Sequence, residues 1–153
     1  MPNILFVCTA NRYRSVIAAE CFRNELVKHK QENAWIVLSA GTWAMDGMPA
    51  MPEAIEKARQ MGLDIHAHRS RAITENMIRE ADLVLVMEGG QKEALQIEFP
   101  SLRHKVLLLT EAAKGGADDI PDPAAGFVDG DIASEICKLI HTGFDKICTL
   151  ARR

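Results

Sequence analysis

The chain has 153 residues, of which 48% are hydrophobic and 25% charged, and a formal net charge of −3, the profile of one globular domain around a single core. That balance provides no basic field for nucleic acid or anionic lipid, and no apolar run approaches the roughly 20 residues of a membrane span. The N-terminus lacks the charged-then-apolar form of a signal peptide, so a cytoplasmic location is expected, and there Cys8, Cys21, Cys137 and Cys148 read as free thiols.

The run Ile4-Leu5-Phe6-Val7 is apolar on both faces and predicts a buried parallel strand. From Ser15 to about Lys30, apolar residues at Val16, Ala19, Phe22 and Leu26 predict an amphipathic helix, with Cys21 a small core residue inside it. Between strand and helix stands Cys8-Thr9-Ala10-Asn11-Arg12-Tyr13-Arg14-Ser15. A loop that leaves a strand's carboxyl end and enters a helix N-terminus gathers backbone N–H groups and the positive end of the helix dipole, which makes an anion site. A cysteine at its mouth is favoured as the thiolate, the nucleophilic form. Arg14 can swing its planar fork over a bound oxyanion, Ser15 can hydrogen-bond the sulfur, and Asn11 tolerates the left-handed backbone of a tight loop.

Trp35 to Leu38 predicts the second strand, with Ser39-Ala40-Gly41-Thr42 the turn at its end. Residues 43–51 read as an irregular loop in which Trp43 or Met45 forms either a wall of a substrate cleft or a cover over the sheet edge. Pro52 opens a helix that Gly62 closes. His66 and His68 lack a third ligand nearby, so no metal is expected there. Thr74 caps a short helix ending near Glu80; Asp82 to Glu88 is the third strand, about Gly90 to Ile97 a helix, and Val106 to Leu109 the fourth strand.

Residues 110–130 show no periodicity and predict a long, functional loop. Within it Asp122 sits between Pro121 and Pro123, which stiffen the backbone, and Asp118 and Asp119 are rival acids. From Asp131 to about Ala151 a last helix carries Ile132, Ile136, Ile140, Phe144 and Ile147 on one face, with Cys137 and Cys148 as packing residues. Strands alternating with helices imply an α/β fold, a parallel sheet covered on both faces.

Cysteine, five residues, arginine and serine after a first strand resemble the signature of the low-molecular-weight protein tyrosine phosphatases. The likeness extends in order through Ser39 to Thr42, Gly62 to Ile65, His68 to Arg71, Asp82 to Glu88 and Ile120 to Pro123. It implies a single domain over 1–153 with four parallel strands in the order 2-1-3-4. It also implies phosphomonoester hydrolysis through a cysteinyl-phosphate on Cys8, with Arg14 clamping the phosphate and Asp122 as general acid and base. Thr9, Ala10, Asn11, Arg12, Tyr13 and Ser15 would line the phosphate, and Ser39 and His68 would support the loop from behind. No cofactor or metal is implied, and the partner is a phosphorylated protein met by a monomer or weak homodimer. The substrate implied is phosphotyrosine, with phosphoarginine the alternative; a rival from another class is a phosphoryl carrier or idle phosphate-binding homologue. The chain departs from the pattern at Ala10 (usually Gly), Tyr13 (usually Cys), Val16 (usually Pro), Arg12 (usually small or branched) and Ala124-Ala125 (often an aromatic pair).

Overall fold

The computed structural model describes residues 1–123 and 131–153. Four strands, β1 (Asn3–Cys8), β2 (Ile36–Gly41), β3 (Leu83–Val86) and β4 (Val106–Leu108), form one parallel sheet in the order β2-β1-β3-β4. Their pairing puts Cys8 opposite Gly41 and Val7 opposite Val86, so the carboxyl ends of three strands finish side by side.

Because successive strand residues point to opposite faces, β1 serves two cores at once. Ile4, Phe6 and Cys8 join the cluster formed with α1 (Arg14–Lys28), α2 (Pro52–Gln60), α5 (Leu109–Lys114) and α6 (Ile132–Ala151). Leu5 and Val7 pack on the other face under α3 (Glu75–Glu80) and α4 (Gly89–Glu98). Phe22 of α1 anchors the first layer, its ring 5.3 Å from those of both Trp35 and Phe144. Thr74 caps α3, accepting from the Met77 N–H at 3.2 Å.

Two expectations need correction. The stretch expected to be loop from residue 110 begins as helix α5, whose Leu109, Ala112 and Ala113 are buried. Six residues are too few to display a helical period, and the helix exists because it packs on α6: a Cβ at Gly143 would lie 2.5 Å from the Ala113 side chain. Gly115, at φ 72°, then ends it.

The second correction concerns the thiols. Cys21 and Cys137 form a disulfide between α1 and α6, their Cα atoms 5.4 Å apart, and only Cys8 and Cys148 are free. A pair 116 residues apart carries no spacing signal; it is the packing of α1 on α6 that brings the sulfurs together. Cys148 is buried, which pushes its thiol up to about 11. Closing so long a loop restrains the unfolded chain by up to about 5 kcal/mol in the chain-entropy account. Reduction with a phosphine, or Cys21→Ser, is therefore expected to lower the urea midpoint, and the two treatments combined to lower it no further.

Candidate active site

The loop from Thr9 to Tyr13 is braced by backbone bonds from two neighbouring segments. The Thr42 and Trp43 N–H groups donate to the Cys8 and Thr9 carbonyls at 2.9 Å, and the Met51 N–H to the Arg12 carbonyl at 2.9 Å. Gly41 is required for this approach, since a Cβ there would stand 2.4 Å from the Thr9 carbonyl oxygen. None of the backbone N–H groups of residues 9–13 donates to an acceptor among the described residues. Helix α1 follows with no acidic residue in its first turn and no side-chain cap, so the dipole's positive end is unopposed.

Asn11 is the hub of the loop, fully buried and at φ 57°. Its Oδ1 accepts from the Arg71 N–H at 3.0 Å, which assigns the amide nitrogen as donor to Ser15 Oγ at 2.8 Å and Ser39 Oγ at 3.0 Å. Its carbonyl accepts from His68 Nε2 at 2.8 Å. Ser15 Oγ lies 3.0 Å from Cys8 Sγ. Against a Cys8 thiolate, which can only accept, the Ser15 hydroxyl is the donor.

Arg14 is almost wholly buried. Its Nη1 donates to Glu88 at the end of β3 and to the Ile120 carbonyl at 2.8 Å. Nε and Nη2 remain as the two-pronged edge that fits an oxyanion. Asp122 Oδ2 stands 3.8 Å from Nη2. The rival acids are engaged elsewhere: Asp119 Oδ1 accepts from the Gly89 N–H at 2.8 Å, and Asp118 stands 4.0 Å from Lys114. Gln91, on α4, donates to Thr9 Oγ1 at 3.0 Å.

Of the candidate residues, Cys8, Thr9, Asn11, Arg14, Ser15, Ser39, His68 and Asp122 are thus gathered around one loop, with Ala10 exposed at its tip. Tyr13 turns its side chain into the core, where burial and then Asp131 and Glu53 push its hydroxyl above the ordinary value; only its backbone faces the loop. Glu88 and Gln91 were not among the candidates. The signal that could have found Glu88 was an acid at the carboxyl end of a strand adjoining β1. Ala124 and Ala125 lie outside the described residues.

Burial lowers the His68 pKa from 6.5, Arg71, Arg23 and Arg69 push the same way, and the bond to Asn11 pulls back. The unfolded chain therefore takes up the proton first as pH falls, so the stability tied to neutral His68 is complete above 6.5 and is lost through the lower folded value. An NMR titration of the His68 imidazole is expected to show a midpoint below 6.5, with urea stability falling over the same window.

A sequence profile described as low molecular weight phosphotyrosine protein phosphatase matches residues 3–152. The chain belongs to this family. It is similar to EpsP of Ralstonia solanacearum, described as a probable low molecular weight protein-tyrosine-phosphatase, at 39% identity over 78% of each chain. It is also similar to a protein-arginine-phosphatase of Bacillus subtilis, at 33% identity over 83% of each. Among solved structures, a low molecular weight protein tyrosine phosphatase from T. tengcongensis superposes with a TM-score of 0.85 at 32% identity, covering 95% of this chain and 99% of that one. The protein is accordingly a phosphatase that hydrolyses phosphoesters, with phosphoprotein substrates implied by the family. None of the helices among the described residues is long and apolar enough to cross a membrane.

Proposed function

We propose that the protein is a cytoplasmic, cofactor-independent protein phosphotyrosine phosphatase in which Cys8, Arg14 and Asp122 carry the chemistry. The supporting observation is the convergence on one loop of a sulfur 3.0 Å from the Ser15 hydroxyl, unengaged N–H groups, and a buried arginine whose Nη2 pairs with Asp122 at 3.8 Å. The phosphoryl dianion binds the loop N–H groups and the Nε/Nη2 edge of Arg14. Cys8 thiolate attacks phosphorus in line, an S–P bond forms, and the ester P–O bond breaks as Asp122 gives its proton to the leaving oxygen. Asp122, now a carboxylate, takes a proton from water as that water attacks phosphorus. The S–P bond then breaks, phosphate leaves, and the thiolate returns to the Ser15 hydroxyl. Developing negative charge is met throughout by Arg14, the loop N–H groups and the α1 dipole.

The mouth of the site favours phosphotyrosine over phosphoarginine. A cleft of about 490 Å3 beside the loop is lined by Ala10, Arg12, Trp43, Met45 and Met48. Trp43 and Met45 are 87% and 73% exposed, an apolar wall on which a tyrosine ring can lie. Arg12, anchored by its Nε to the Pro49 carbonyl at 2.8 Å, carries a charge that repels the guanidinium of phosphoarginine. Initial rates on a phosphotyrosine peptide and its phosphoarginine counterpart, with chelator present, test the reading. Phosphotyrosine is expected to be favoured, and Arg12→Ala to shift the ratio of kcat/KM values toward phosphoarginine by about 5-fold, since one like-charge contact near solvent is worth about 1 kcal/mol. A wild type faster on phosphoarginine would overturn the preference.

A further inference from the structure

Between α1 and the segment 64–71 lies a polar recess of about 250 Å3, bounded by Arg23, Ser39, His68, Arg69 and Arg71 and by neither Cys8 nor Arg14. Two carboxylates also border it, but both are taken: Glu20 pairs with Arg23 at 3.1 Å, and Asp64 accepts from the His66 N–H at 3.0 Å and contacts its Nδ1 at 3.1 Å. Arg69 and Arg71 have no carboxylate partner among the described residues. Arg69 bonds only to the His68 carbonyl at 2.7 Å, and the Arg71 guanidinium only to the Ser39 carbonyl through Nε at 3.1 Å. Two guanidinium groups with unused donors thus border one recess together with an imidazole whose Nε2 is committed to Asn11.

Such a pair of forks in a polar cavity matches a tetrahedral oxyanion. We propose that this recess is a second anion site, taking phosphate or a small phosphomonoester on Arg69, Arg71 and His68. It goes beyond the hydrolytic reading and stands on geometry independent of it. The site is wired to the phosphate loop through one residue. The Arg71 N–H holds Asn11 Oδ1 at 3.0 Å, and His68 Nε2 holds the Asn11 carbonyl at 2.8 Å. An anion between them offsets the repulsion that Arg23, Arg69 and Arg71 exert on a protonated His68, with Glu20 and Asp64 the acidic groups at the border. It therefore favours imidazolium and strengthens the charge-assisted bond to Asn11. Product phosphate would in this way act on the loop from behind as well as occupy it.

Titrating inorganic phosphate into the full chain while following the His68 imidazole and the Ala10 amide by NMR separates the two places. The expected result is a saturable His68 shift with a midpoint of its own, weakened roughly tenfold in Arg69→Gln/Arg71→Gln, with the Ala10 midpoint moving by much less, as coupling through Asn11 allows. Arg69→Gln alone, at an exposed position, is expected to give part of that weakening and guards against misfolding of the double variant. A His68 shift that merely tracks Ala10, one unchanged in either variant, or none at phosphate concentrations well above those used to titrate Ala10, overturns the site. An unresponsive Ala10 amide would count against the catalytic loop instead, and leaves the His68 curve to decide this site.

Discussion

Cys8→Ser will lose turnover of p-nitrophenyl phosphate by about 10⁴-fold or more while still binding phosphate. A serine hydroxyl is nucleophilic only with a base to take its proton, and the groups around Cys8 provide none. Ser15 offers only a neutral hydroxyl, and Asn11 Nδ2 is a donor. The nearest histidine, His68, has its Nε2 occupied by the Asn11 carbonyl. The anion cradle does not depend on the sulfur, because the loop N–H groups and the edge of Arg14 are untouched. The dissociation constant for phosphate should therefore stay within a few-fold of wild type, and the urea midpoint should stay near its original value. Turnover surviving in Cys8→Ser would remove Cys8 as nucleophile. Loss of phosphate binding along with turnover would mean that the substitution had collapsed the loop and that the variant reports on folding.

The second large effect is expected at Asp122, where replacement by asparagine will slow hydrolysis of phenyl phosphate by roughly 10²- to 10⁴-fold. The loss should be smaller in the first step on p-nitrophenyl phosphate, because p-nitrophenolate departs without a proton whereas phenolate needs one. The same carboxylate is required to activate water, so on the activated substrate the phosphocysteine should accumulate and give a burst of p-nitrophenol before a slow steady state. A merely structural role would slow both substrates alike and give no burst. Asp118→Asn and Asp119→Asn are the controls. Asp119 accepts from the Gly89 N–H at 2.8 Å, so its loss should act on stability at the start of α4 rather than on leaving-group dependence. A leaving-group effect in either control, absent from Asp122→Asn, would move the acid to that position.

These experiments probe a site whose parts were unequally visible in the one-dimensional chain. The strand Ile4 to Val7, the helix after Ser15 and the final helix were readable because their apolar spacing follows from burying two faces of a strand or one face of a helix. The Cys8-to-Ser15 loop was readable because a strand-to-helix junction has a known electrostatic character whatever surrounds it. Ser39, His68 and Asp122 were reached only through the family resemblance, since by themselves a turn serine, a loop histidine and an aspartate between prolines are commonplace. Helix α5 escaped notice because six residues leave no period to read, and its existence depends on Gly143 admitting Ala113.

Local pattern and spacing thus accounted for the α/β architecture and for the strand-to-helix loop that carries Cys8 and Arg14, because each depends on neighbours within a turn or two. Contacts between distant segments followed different rules. Glu88 meets Arg14 across 74 residues and leaves its Nε/Nη2 edge toward Asp122, and Cys21 meets Cys137 across 116. Arg69 and Arg71 line one recess with His68 and have no carboxylate partner among the described residues. Such meetings depend on how β1 and β3 align at their carboxyl ends, how α1 packs on α6, and how residues 64–71 fold back on the loop. They arise from packing, which places residues by shape and burial and leaves no periodic trace along the chain.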